Sequence, residues 1–162
     1  MLHTHSTRIY PDSAYDQYLT LKPPLPLWLA TWFLARAITL PLCMGVAHVA
    51  GVNDAALRVM RQAWSFDFSM VPALAAATLL YLFIRRVPTA SQGVRWLWSR
   101  GRVLLVTSAI LDIAAGSIIG WAREFNDTSL MTCIGMSIDL VIIGYGLVSE
   151  RVRDTFADFP TP

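Results

Sequence analysis

The chain has 162 residues, of which 55% are hydrophobic and only 15% are charged, and its mean hydropathy is +0.49. A typical soluble domain carries about 25% charged residues, so this composition excludes an ordinary soluble protein and indicates an integral membrane protein. The net charge of +2 is too small to indicate nucleic-acid binding. Polar segments between the apolar runs are about 25 residues or shorter, so we expect one transmembrane domain over residues 1–162.

The segment before the first apolar run is polar and contains His3, His5, Asp12 and Asp16. It lacks the charged start, apolar core and small-residue cleavage site that mark a signal peptide. We therefore expect no cleaved signal, and we expect the first membrane helix to direct insertion.

Four apolar runs follow one another along the chain. A helix needs about 20 apolar residues to cross a hydrocarbon core of about 30 Å, and three of the runs have this length. The second run is shorter, so it must draw in the preceding WSFDF, thin the bilayer or pack against its neighbours. The sequence predicts an all-α fold, a polytopic membrane four-helix bundle. Its helices are predicted at about 26–49, 69–84, 103–122 and 130–149.

The loop between the first two runs contains a further predicted helix, at about 54–64. Leu57, Met60 and Trp64 recur there at helical spacing, while Arg58 and Arg61 point elsewhere. This pattern is typical of a helix that lies in the membrane interface. The simplest interpretation is a membrane-proximal loop helix without a partner.

The basic residues of the loops predict the orientation of the bundle. Nine lysines and arginines lie in the N-terminal segment, the middle loop and the C-terminal segment, and three lie in the other two loops. Loops rich in Lys and Arg stay in the cytoplasm, so both termini are predicted to be cytoplasmic. The nine residues are Arg8, Lys22, Arg85, Arg86, Arg95, Arg100, Arg102, Arg151 and Arg153, and the three are Arg58, Arg61 and Arg123.

Three ionisable residues lie at similar depth inside predicted helices: Arg36 in the first, Asp112 in the third and Asp139 in the fourth. Each costs about 2.5–3.5 kcal/mol at the bilayer centre, so we expect them to meet in the bundle interior as a polar core. Helical side chains lean toward the N-terminus of their helix, and the first and third helices run in the same direction. This direction predicts an ion pair between Arg36 and Asp112. Asp139 is either a second acceptor for the guanidinium or a carboxyl group that burial keeps protonated.

Glycines share helix faces with the two aspartates. Gly116 and Gly120 follow Asp112 at i+4 and i+8, and together they form a GxxxG pair that allows close helix approach. Gly135 and Gly146 lie on the same face of the fourth helix as its aspartate. We therefore predict that these four glycines pack helices against one another.

Pro41 lies one turn after the arginine of the first helix. It cannot donate a hydrogen bond to the carbonyl of Ala37, so we expect one continuous helix that bends just after Arg36. Trp32, one turn before the arginine, can place its ring against the guanidinium. The bend serves packing in the simpler interpretation and a binding cavity in the alternative.

The tail SERVRDTFADFPTP is expected to prolong the fourth helix by two turns and to stop at Pro160. Phe156 and Phe159 can then dock on the bundle or on a partner.

No pattern in the sequence indicates catalysis. There is no His/Cys/Glu cluster with metal-ligand spacing, no Ser/His/Asp set and no glycine loop for phosphate. We therefore expect no enzyme activity, no catalytic residue, no metal site and no cofactor. Cys43 and Cys133 fall inside or beside apolar runs, where a thiol behaves as a small hydrophobe, and His48 is interpreted as an interface residue.

The stretch YLTLKPPLPLWLATWFLARA resembles the opening of a family of small, functionally uncharacterised bacterial inner-membrane proteins with four helices. In that family a Lys-Pro-Pro-Leu segment precedes a tryptophan-containing helix with Ala-Arg-Pro or Ala-Arg-Ala, and the SERVRDTFADFP tail is similar to the family's ending. The resemblance implies a Gram-negative inner-membrane location and the same fold, and it implies no activity. The chain departs from the family at Ala37, where many relatives have proline. The matching residues are Lys22, Pro23, Pro24, Leu25, Trp28, Ala35 and Arg36.

Two functions fit this pattern. The polar core can lock helices together in a structural or accessory subunit of a membrane assembly, which would associate with itself or join a larger complex in the lipid bilayer. The alternative is a small proton- or cation-coupled transporter or channel that uses the same carboxylates. The small size, the GxxxG face and the lack of a broken helix pair or inverted repeat favour the structural role. An immunity-type membrane protein shares the size, but no residue indicates it.

Overall fold

The structure, a computed structural model, describes residues 10–51, 70–122 and 130–160. Every named element in this part of the chain is helical, which confirms the all-α fold class. A single turn of 3₁₀ helix, Asp12–Ala14, precedes the α-helices. The helices are α1 (Leu25–Leu34), α2 (Arg36–Val49), α3 (Met70–Ile84), α4 (Gln92–Ser99), α5 (Gly101–Ala122), α6 (Leu130–Val148) and α7 (Glu150–Ala157). The predicted interfacial helix at about 54–64 lies outside the described residues.

The start of α1 follows from its prolines. Pro24 is the N-cap residue, with an extended backbone (φ −67°, ψ 152°), and Pro26 lies in the first turn. Proline suits this position because the first helical N–H groups have no partner inside the helix. The Lys-Pro-Pro segment therefore fixes where the first helix begins.

The first predicted helix, 26–49, is two helices that meet at an angle of 80°. The break lies at Ala35 (φ −78°, ψ 0°), whose carbonyl accepts hydrogen bonds from the N–H groups of Ile38 and Thr39. The prediction of one continuous helix bending after Arg36 is therefore wrong, as is the expectation of no broken helix pair. Pro41 lies inside α2, and the bend occurs nearly two turns earlier, where Arg36 can reach back over the end of α1.

The centre of the bundle is formed by α3 and α5. Helix α3 packs against α1, α2 and α5, and α5 packs against α6. The buried Ser108 on α5 donates a hydrogen bond of 2.7 Å to the carbonyl of Pro72 on α3, which fixes the two helices relative to each other. The apolar core between the helices includes Leu27, Leu34, Ala76, Leu79, Leu82, Leu105, Ala109 and Ile142.

The two short helices α4 and α7 close one end of the bundle through an aromatic cluster. Trp98 of α4 is buried, and its ring contacts those of Phe83, Phe156 and Phe159. The indole N–H of Trp98 donates to backbone carbonyls of the C-terminal segment. Gly101 lies directly beneath this cluster, since a methyl group there would overlap the ring of Phe156.

The C-terminal tail leaves the direction of α6. The helix predicted at 130–149 ends at Val148, and α7 turns away by 66°. The hydroxyl of Ser149 accepts a hydrogen bond from the N–H of Val152, so Ser149 caps a new helix instead of continuing the old one. This turn brings Phe156 onto the bundle, so the tail does not simply prolong the fourth predicted helix.

Among the described residues, α5 is long and apolar enough to cross a membrane. The count rises to three if α1 with α2, and α6 with α7, each form one bent span. Helix α3 is apolar but has only 15 residues, which matches the short second run in the sequence.

Candidate functional site

The break between α1 and α2 positions the buried Arg36, which is 5% exposed and begins α2. Its Nη1 donates to the carbonyl of Phe33 at 2.9 Å, at the C-terminal end of α1, where the helix dipole favours a cation. The guanidinium carbon lies 4.1 Å from the centre of the Phe33 ring. We predicted Trp32 in this position, but Trp32 is half exposed. The i, i+4 relation between residues 32 and 36 requires a continuous helix, which the break removes.

Asp112, in the middle of α5, is the charge partner of Arg36. The Nη2 of the arginine donates to Oδ2 of the aspartate at 2.6 Å, and the aspartate is 4% exposed. A short, charge-assisted hydrogen bond between buried groups is among the stronger polar contacts in a protein. The ion pair predicted from helix direction is thus present, and it joins α2 to α5.

Asp139 on α6 completes the site and is 1% exposed. Its carboxyl group lies within hydrogen-bonding distance of that of Asp112, and the charge of Arg36 also acts on it. No N–H or O–H group of the described residues donates to its Oδ1. We call these three residues the Arg36 cluster; the structure brings them together from three helices.

Two of the four glycines predicted to pack helices, Gly116 on α5 and Gly146 on α6, lie at the contact between these helices. A methyl group at Gly116 would lie 3.0 Å from Cε of Met136, and one at Gly146 would lie 3.0 Å from a methyl group of Val106. An alanine at either position would require the neighbouring side chain to move by a few tenths of an ångström. Gly120 lies on α5, one turn beyond Gly116.

Gly135 has a different neighbour. A methyl group there would lie 3.9 Å from Nη2 of Arg36, in ordinary contact. Gly135 is one turn before Asp139, so this part of α6 faces the guanidinium, and an alanine at this position would fit beside it.

The Arg36 cluster therefore has two possible uses. It ties α2, α5 and α6 into one arrangement, because separating the helices would leave charges buried without partners. It also holds two carboxyl groups against a single guanidinium, so a second positive charge or a proton is needed for neutrality. Among the described residues no group of three or more His, Cys, Asp or Glu side chains could hold a metal ion.

A second buried arginine, Arg86, was placed by the sequence only among the basic loop residues. It is 6% exposed, and it donates to the carbonyls of Leu21 at 2.7 Å and Asp158 at 3.0 Å. Its guanidinium carbon lies 4.7 Å from the ring centre of Trp98. Backbone carbonyls can come from any residue, so no pattern of residue types in the sequence marks these partners.

Asp16 links Arg86 to the N-terminal segment. Its carboxylate accepts hydrogen bonds from the hydroxyl and N–H of Thr20 and from the N–H of Tyr18, and it lies 3.9 Å from Arg86. Burial raises the pKa of Asp16, but these hydrogen bonds outweigh it, so the pKa lies below the ordinary 3.8. Burial lowers the pKa of Arg86, against the opposing charges of Asp16 and Asp158. We call Arg86, Asp16, Leu21, Trp98 and Asp158 the Arg86 cluster.

Comparison with known proteins places the chain by family. A family model described as "Protein of unknown function (DUF2919)" matches residues 10–158, which include the whole of both clusters. No curated protein and no solved structure matches the chain.

Proposed function

The chain belongs to the DUF2919 family, and we propose that it is a small integral membrane protein that acts as a structural or accessory subunit of a membrane assembly. The observation that carries this proposal is the buried Arg36–Asp112 ion pair. Such a pair makes the arrangement of α2, α5 and α6 specific, since each charge would be stranded in any other packing. The partner would be a second copy or another membrane protein.

The distribution of apolar side chains supports placement in a membrane. Helices α2, α5 and α6 all carry large apolar residues on their outer faces, and a water-soluble monomer rarely exposes apolar patches of this extent. Lipid tails would cover these faces without the penalty that water imposes. The exposed residues are Leu42, Val46 and Val49 on α2, Val103, Ile110 and Ile118 on α5, and Leu140, Val141, Leu147 and Val148 on α6.

The arginines support one orientation. Several lie in or beside α4, the first turn of α5 and α7, at the end of the bundle closed by the aromatic cluster, and they would face the cytoplasm of a bacterial inner membrane with both termini. A C-terminal fusion tests this orientation. Green fluorescent protein should fluoresce there and alkaline phosphatase should be inactive, and the reverse result would overturn it. The residues are Arg95, Arg100, Arg102, Arg151 and Arg153.

The accessory role is tested by the mass of the particle purified in mild detergent. We expect a dimer, a higher oligomer or a stoichiometric complex. A strictly monomeric particle without a co-purifying protein would overturn the proposal. Two variants on exposed faces, Val141→Trp on α6 and Val46→Trp on α2, should identify the interface. The variant whose residue lies in the interface should release monomer, and the other variant, which serves as its control, should not.

A second candidate function is proton- or cation-coupled transport, or a channel. Two observations favour it: the helix break at Ala35 beside Arg36, and the Oδ1 of Asp139 that receives no donor from the described residues. Transporters use broken helices and buried carboxyl groups to form their ion sites. Flux in proteoliposomes tests it, with Asp139→Asn as the variant and the exposed Asp12→Asn as its control. Absent flux, or flux unchanged by Asp139→Asn, would contradict this candidate.

A further inference from the structure

The charges of the Arg36 cluster do not balance by themselves. Two carboxyl groups and one guanidinium leave one surplus negative charge if both carboxyl groups are ionised. The three residues are only 1–5% exposed, so water cannot solvate and screen this charge. Two carboxylates within hydrogen-bonding distance also repel each other, which favours the binding of one proton by the pair.

Within the described residues, the helices around the cluster offer no second cation to balance it. The only other Lys or Arg in the described parts of α1, α2, α3, α5 and α6 is Arg102, about 15 Å along α5 from Asp112. Its side chain is turned to the carbonyl of Gly146 at the end of α6. Helix α1 carries no ionisable side chain. The remaining ionisable groups on the other four helices are Cys43 and His48 on α2, Tyr81 on α3, and Cys133 and Tyr145 on α6.

The available ligand atoms favour a proton over a metal cation. A hard cation such as Ca²⁺ or Mg²⁺ takes about six or more oxygen ligands. Among the described residues, Oδ1 of Asp139 is the one buried side-chain oxygen that lacks a hydrogen-bond partner. A proton needs one oxygen to bind and one acceptor beside it, and the two aspartates supply both.

We propose that Asp112 and Asp139 bind a single proton between them, so that the Arg36 cluster is a neutral proton-binding site. Asp112 already accepts a hydrogen bond from Arg36 and remains the carboxylate. Asp139 carries the proton, taken up from water, and its O–H group donates to Asp112. The inference rests on the second candidate function for its biological use, since it names the species that such a transporter would carry.

Infrared spectroscopy of the protein in nanodiscs at neutral pH tests the proposal. A protonated, buried carboxyl group gives a carbonyl stretch that ionised carboxylates lack. We expect this band in the wild type, with a shift when the aspartates carry ¹³C at the carboxyl carbon. Asp139→Asn and Asp112→Asn should each abolish it, because the remaining aspartate then pairs with Arg36 as a carboxylate. Asp12→Asn, an exposed control, should leave the band unchanged.

The thermal midpoint in sodium, potassium or choline chloride at equal ionic strength is the second measurement. A proton site predicts the same midpoint in all three salts. A missing band in the labelled wild type overturns the proposal, whether or not the variants fold. A higher thermal midpoint in sodium or potassium chloride, without the infrared band, would show a metal-cation site instead. A band without proteoliposome flux would support the proton site and contradict the transport function. Flux without the band would support the transport function and contradict the proton site.

Discussion

The two buried arginines have nearly the same exposure, 5% for Arg36 and 6% for Arg86, but different kinds of partner. Arg36 donates to the carboxylate of Asp112 and to the backbone carbonyl of Phe33. Arg86 donates to two backbone carbonyls, and its nearest carboxylate oxygen, in Asp16, lies 3.9 Å away. One arginine therefore neutralises a charge between helices, and the other holds two terminal segments in place.

This difference determines what each arginine leaves behind when it is removed. Loss of a buried cation next to a carboxylate strands an ion, which is costly. Loss of a donor to a carbonyl strands a neutral acceptor, which costs less. Four predictions test the comparison, from the largest expected effect to the smallest.

The largest effect is expected from Arg36→Ala. The change leaves Asp112 and Asp139 buried without a cation, so the free energy of unfolding should fall by about 3–5 kcal/mol. Chemical or thermal denaturation in detergent measures this loss.

The double variant Arg36→Met with Asp112→Leu is the control for that result. It removes both charges of the ion pair and leaves Asp139 as a single acid that can hold a proton, so it should recover part of the lost stability. A double variant as unstable as Arg36→Ala would show that the ion pair does not explain the loss. If the cluster is a working site, activity should stay absent even where stability returns.

Arg86→Met should have a smaller effect. The free energy of unfolding should fall by about 2–3 kcal/mol, because the carbonyls of Leu21 and Asp158 lose their donors. Hydrogen exchange should rise at residues 12–24 and 150–158 and stay unchanged in the centre of α5. The matched control is Arg85→Met. Because Arg85 is exposed, its replacement should change the free energy of unfolding little. Equal effects of the two variants would contradict the role given to Arg86.

Gly101→Ala tests the aromatic packing beside the Arg86 cluster. The added methyl group overlaps the ring of Phe156, so the change should cost about 1–3 kcal/mol. Gly93→Ala is the control, because its methyl group would meet only Ser91 Oγ, at 4.0 Å, and a helical alanine should be neutral or stabilising. Adding Phe156→Leu to Gly101→Ala should restore stability, and no rescue would show that the overlap is not the cause.

The smallest effect concerns pH. The pKa of Asp16 is lower in the folded chain than its ordinary value of 3.8. A carboxyl group of this kind stabilises the fold fully above its unfolded pKa and loses that contribution as pH falls through its folded pKa. Unfolding midpoints measured from neutral pH to below 3.8 should therefore fall less steeply for Asp16→Asn than for the wild type. If the unfolding midpoints of Asp16→Asn and of the wild type fell equally with pH, the stabilising role of the Asp16 carboxylate would be contradicted.

The Arg36 cluster was partly predictable because its members are rare residue types at one depth in apolar runs. Chemistry and helix direction then indicated the pair with Asp112. The break at Ala35 was not predictable, because neither glycine nor proline marks that position and Pro41 pointed elsewhere. The ring against Arg36 depends on the break, so Trp32 was predicted where Phe33 lies.

The sequence by itself determined that the chain is helical, where its apolar segments lie and which charged side chains must find partners. It could do so because hydrophobic periodicity and the cost of burying charge are local properties of residues. Only the tertiary structure decided that α1 and α2 are separate helices, that Phe156 docks on Trp98 and that Arg86 holds both terminal segments. These features depend on backbone carbonyls and ring surfaces that meet only after the helices have packed, and no residue type encodes them in advance.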